Sequence, residues 1–72
     1  MNENKLINMA NQIGSFFDSM PDRGEAITGI VNHIRASWEP RMREGLKHQI
    51  ETCGDSELLP IVKEALPRIL AD

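Results

Sequence analysis

Ser56 is the hydroxyl whose setting looks most like one built for chemistry. It stands in Gly54-Asp55-Ser56-Glu57-Leu58, where a serine could carry a phosphopantetheine arm or act as an esterase nucleophile. Both options fail on their surroundings. A carrier serine sits mid-chain with two further helices after it, whereas only 16 residues follow Ser56 and Glu57 interrupts the pattern. An esterase needs a large α/β scaffold to bring distant Asp and His partners to the serine. The expectation is therefore an ordinary turn, with Asp55 or Ser56 as a helix N-cap. His33 and His48 have no carboxylate, serine or cysteine at useful spacing and read as boundary residues. Cys53, beside a cap glycine, reads as a small core residue rather than a nucleophile. Two histidines and one cysteine, widely separated, match no metal-ligand spacing. No catalytic, cofactor-binding or metal-binding residue is assigned to this chain.

The remaining informative side chains point to binding. Pro40 suits the first position of a helix, because its missing N–H is not needed there. Arg41 and Arg43 then fall in the first turn, at the positive end of the helix dipole, where a cation costs about 0.3–1 kcal/mol unless an anion is near. Glu39 and Glu44 can supply that anion locally. Alternatively, an arginine reaches a carboxylate, carbonyl or phosphate on another subunit. Two residues apart, the arginines diverge by about 200°, so one inward and one outward role is expected. Ile7, Asn11 and Gly14 raise the same question earlier in the chain. They lie off the main apolar stripe, and an exposed isoleucine beside a glycine would let another surface approach closely.

These residues must be carried by helices. Over residues 3–20, Leu6, Met9, Ala10, Ile13, Phe16, Phe17 and Met20 recur at helical spacing on one face, with Asn2 or Asn4 to cap the start. Pro21, Asp22, Arg23 and Gly24 end that segment in a turn. A second helix is expected from about Glu25 to Ser37, burying Ile27, Ile30, Val31, Ile34 and then Trp38; Pro40 stops it. A third runs from Pro40 with Met42, Leu46, Ile50 and Cys53 along its edge, and Gly54 as its left-handed cap. The last segment, Ser56 to Leu70, groups Leu58, Val62, Ala65, Leu66 and Ile69, widened by Leu59, Ile61 and Leu70. Pro60 marks its helical start, and Pro67 should kink or fray the last turn. The fold class is all-α, a small bundle of three to four short amphipathic helices, with residues 1–72 as one helical domain.

Composition sets limits on function. The net charge of −3 among 72 residues and a pI near 5.3 give no general attraction to nucleic acid. No apolar run is long enough to span a membrane, and the amphipathic start is not a signal peptide. The lone cysteine fits a reducing cytoplasm. The chain has 23 large apolar side chains (Leu, Ile, Val, Met, Phe, Trp), more than so short a chain can bury alone, so stability shared with a partner is expected. The four methionines read as core fillers.

Two blocks together resemble a known family. Leu6-Ile7-Asn8-Met9-Ala10-Asn11-Gln12-Ile13 followed by Phe16-Phe17 resembles the opening of the delta subunit family of molybdenum-containing, NAD-dependent formate dehydrogenases. His33-Ile34-Arg35 followed by Trp38-Glu39-Pro40-Arg41-Met42-Arg43 resembles that family's central block. Ser37 departs from it, standing where a bulky residue is expected. The resemblance implies a small accessory subunit of a cytoplasmic complex that oxidises formate to carbon dioxide with NAD. It binds the catalytic alpha subunit and supports assembly, cofactor insertion or stability. The partner complex would carry a molybdenum bis(pterin guanine dinucleotide), iron–sulfur clusters and FMN. On this reading the partner-binding residues are Ile7, Asn11, Gly14, His33, Trp38, Arg41 and Arg43. The alternative is a free-standing small helical interaction or regulatory protein acting as a homodimer; a homo-oligomer is open to the isolated chain, and neither nucleic acid nor membrane is a partner in either case.

Overall fold

The computed structural model describes residues 5–71, and four helices make up the fold: α1 (Lys5–Phe17), α2 (Arg23–Ser37), α3 (Pro40–Cys53) and α4 (Pro60–Ile69). Helices α1, α2 and α4 all contact one another, and α3 attaches chiefly to α1. The radius of gyration of 11.3 Å is close to the ~11 Å of a compact chain this long, so α3 is held against the rest. The expected caps at Asn2 and Asn4, and the filler role of Met1, lie outside the described residues.

Each boundary has a local cause. Helix α2 starts at Arg23, two residues earlier than expected, because Asp22 Oδ1 accepts the Glu25 N–H at 3.0 Å. An Asp three residues before a Glu is an N-terminal pattern the sequence does contain. Trp38 ends α2 in extended geometry, its N–H still donating to the Ile34 carbonyl at 2.8 Å. Pro40 opens α3 as expected, and Gly54 closes it at a φ of 85°, a left-handed value that costs glycine little. Pro60 opens α4, so its N-cap is Leu59 rather than Asp55 or Ser56. Those two instead sit in an exposed turn in which the Leu58 N–H donates to the Asp55 carbonyl at 3.0 Å.

Pro67 was expected to fray the last turn, yet α4 runs through it to Ile69. Arg35 of α2 supplies the reason. Its Nη1 donates to the carbonyls of Arg68 (3.2 Å), Ile69 (3.3 Å) and Ala71 (2.5 Å). A cation on unpaired carbonyls at a helix C-terminus satisfies them and opposes the dipole. Arg68 in turn donates to Thr28 Oγ1 of α2 at 3.1 Å. Arg23 bridges Asp18 at 3.2 Å and Glu64 at 2.5 Å, tying the α1–α2 turn to α4.

The core is formed by Ile7, Ala10, Ala26, Ile30, Val31, Ile34, Trp38, Leu46, Leu58, Ile61, Val62, Ala65 and Ile69. In α2 and α4 it follows the apolar pattern. In α1 the fully buried line is Ile7, Ala10 and Gly14, a rotation from the centre of the stripe that leaves Leu6, Met9, Ile13 and Phe17 only partly buried against the core. Small residues explain the rotation. A methyl group at Gly14 would collide with Val62 Cγ2 and sit 3.4 Å from Ile61 Cγ2. Helix α4 can therefore lie close only where α1 has almost no side chain. Cys53 is exposed, which corrects its expected core role, since no element covers the last turn of α3.

Candidate functional site

The residues expected to bind a partner divide into two groups by position. Ile7 is 2 % exposed, Gly14 is buried against α4, and Asn11 is bonded twice to the loop before α4. Its Nδ2 donates to the Glu57 carbonyl at 2.8 Å, and its Oδ1 accepts the Leu59 N–H at 2.9 Å. The chain thus supplies its own occupant for this side, and the expectation of an open surface there is corrected. Asn11 works as a clamp on the α3–α4 loop, holding Leu58 and Leu59 where they enter the core. Trp38 is likewise 5 % exposed; its indole fills the α2–α3 corner and is not displayed.

The Pro40 turn does present charge. Arg41 is exposed, whereas Arg43 is half-buried, the outward and inward split anticipated from their spacing. Arg43 Nε is buried without a hydrogen-bond partner. A small cleft lined by Pro40, Arg43, Glu44, Lys47 and Leu70 has a volume of about 140 Å³. That is well below the ~300 Å³ at which ligand pockets begin, so the cleft suits a side chain rather than a metabolite.

A second surface lies on α1 around Phe16, at the edge of its apolar stripe. Phe16 is 74 % exposed. Met9 and Ile13 are half-buried, and Asn8, Gln12 and Ser15 are exposed beside them. Phe17 turns the other way: its ring lies over Gly29 of α2, where a methyl group would come within 2.5 Å of it. Phe16 meets Phe17 edge-on at 5.1 Å between centroids, and the His33 ring lies 6.2 Å beyond Phe17. Gln12, Ile13, Phe16, Phe17 and His33 line one shallow groove. His33 is the one expected binding residue that joins this surface. Helical periodicity places the apolar stripe of α1 correctly, but the pair of small residues at Ala10 and Gly14 was the signal for which side is covered.

Among the described residues no group of three His, Cys, Asp or Glu side chains could hold a metal ion. With a single cysteine in the sequence, the residues do not fit cysteine ligation of an iron–sulfur cluster. Among the described residues neither histidine has a hydrogen bond to a carboxylate, serine or cysteine, and Ser56 is exposed in its turn. Among the described residues no helix is long and apolar enough to cross a membrane.

No curated protein and no solved structure gives a significant match to this chain. A family model described as the NADH-dependent formate dehydrogenase delta subunit FdsD matches residues 5–66, which takes in every helix but the last turn of α4. The two sequence blocks noted above both fall inside that span, and the all-α fold accords with them: the chain belongs to the formate dehydrogenase delta subunit family.

Proposed function

We propose that this chain is the non-catalytic accessory subunit of a cytoplasmic, NAD-dependent molybdenum formate dehydrogenase, docking on the catalytic alpha subunit and supporting assembly, cofactor insertion or stability of the complex. The redox groups, a molybdenum bis(pterin guanine dinucleotide), iron–sulfur clusters and FMN, belong on this reading to the partner subunits. Family membership supplies the complex. The observation that carries a docking role is Phe16 of α1, 74 % exposed beside the half-buried Met9 and Ile13. An exposed apolar surface on so small a chain is a mark of an interaction site.

The test is to express the dehydrogenase subunits with and without this chain, then purify through a tagged alpha subunit. The expected result is that the chain co-purifies, and that its omission lowers molybdenum content or the yield of assembled complex. A complex that forms without the chain with full activity and metal content would overturn the role in assembly and stability.

A further inference from the structure

From Leu6 to Phe17 there is no charged residue, in a chain where 26 % of residues are charged. The exposed residues of that stretch are Asn8, Gln12, Ser15 and Phe16, with Met9 and Ile13 half-buried between them and the core. A solvated helix face ordinarily carries charges; their depletion, with Met and Phe present, is the composition of an interface core. The groove beside it, ending at His33, is lined without a carboxylate, lysine or arginine.

The size of the strip decides between a second copy and a larger partner. Helix α1 has 13 residues, about 20 Å of length, and one side of a helix is about 10 Å wide. Two such strips pressed face to face would each bury on the order of 200 Å², against the ~800 Å² per partner of a stable interface. The whole chain exposes 4714 Å², so a standard interface takes about a sixth of it. A partner that wraps both flanks of the helix can approach that figure. A flat copy of the same strip cannot.

We infer that the outer side of α1 inserts as a helix into an uncharged, apolar groove on the large catalytic subunit, with Phe16 and Ile13 as anchors and Met9 filling between them. This rests on the accessory-subunit reading above and adds the docking element and the chemistry of its receptor. The groove must lack charges facing α1, because a charge buried there would lose its hydration with no partner on this chain. Docking of this kind depends little on salt, whereas docking through Arg41 and Arg43 would be screened.

The experiment measures retention of the chain on the tagged catalytic subunit of the co-expressed complex, washed at low and at high sodium chloride. It compares wild type with Phe16→Asp, Ile13→Asp, the milder Phe16→Ser and Arg41→Ala, and circular dichroism melts of each isolated chain check folding. The expected result is at least about thirtyfold weaker retention for the two aspartate variants. Phe16→Ser should fall between, Arg41→Ala should match wild type, and salt should change retention by less than about twofold. Retention of a folded Phe16→Asp within threefold of wild type overturns the inference while leaving the accessory role standing. So does a steep salt dependence joined to loss in Arg41→Ala. Failure of the wild-type chain itself to co-purify overturns both. Sedimentation in which Phe16→Asp converts a dimer to a monomer, with retention unchanged, would instead make a second copy the occupant.

Discussion

The two sides of α1 differ in the opposite sense from what their side chains suggest. The side facing α4 holds Ile7, Ala10, Asn11 and Gly14; the side facing away holds Met9, Gln12, Ile13 and Phe16. The bulkier apolar set is on the outside. What decides burial is access. Gly14 lets α4 approach, Ile61 and Val62 fill the space above it, and Asn11 satisfies the loop that delivers α4. Close approach then excludes water from Ile7 almost completely. In the outer set Met9 and Ile13 are only half-buried against the core, and Phe16 stands out into solvent. Apolar content alone marks a face that will be covered; small residues show which face this chain covers itself.

The contrast is sharpest for Ile7 against Phe16. Ile7→Ala empties a buried site and should cost about 2–5 kcal/mol, lowering the midpoint of thermal unfolding of the isolated chain by ten degrees or more at roughly 4–8 °C per kcal/mol. Phe16→Ala should stay within about 0.5 kcal/mol. Equal losses for the two would mean that α1 is turned differently from the structure described. Gly14→Ala comes next, because its methyl group has no room against Val62. Overpacking costs about 1–3 kcal/mol, although alanine has the better helix propensity. A stabilised Gly14→Ala chain would show that α4 does not lie where it is placed.

The smallest effect concerns the bridge from Arg23 to Glu64. The hydrogen bond from Arg23, opposed by slight desolvation and helped by the charge itself, holds the Glu64 carboxyl below its ordinary value. A lowered carboxylate pKa contributes stability above the unfolded-state range near pH 4, and that contribution is lost as pH falls through the lowered value. Both side chains are about half exposed, so the gain is small and sensitive to salt. Thermal melts of wild type and Glu64→Gln should differ slightly at pH 7 and converge as pH falls through the lowered Glu64 value. A difference that does not shrink with falling pH would point to packing rather than charge.

Much of the fold is legible in the sequence. Pro40, Gly54 and Pro60 mark boundaries that the structure keeps, and the stripes of α2 and α4 are the ones buried. The failures share a cause: they depend on contacts between segments distant in sequence. Pro67 does not fray α4 because Arg35, more than thirty residues earlier, holds the last carbonyls. Asn11 is no display residue because the 57–59 loop reaches it. Asp55 and Ser56 do not cap α4 because the chain waits for Pro60. For the candidate surface, the Pro40 turn with its outward Arg41 and inward Arg43 was readable from spacing. The α1 stripe was seen, but nothing in its spacing singled out Phe16 as the exposed member, and of this surface only His33 was named as a binding residue.

The central claim is that the outer side of α1 is the surface this subunit gives to its complex. Covalent carbene footprinting of the chain, free and within the purified dehydrogenase, reads that surface directly. The expected result is strong protection of Met9, Ile13 and Phe16 on assembly, with Lys63 and the exposed residues around Glu51 labelled alike in both states. Unchanged labelling of Phe16 in the assembled complex, with protection gathered on α3 or α4 instead, would contradict it.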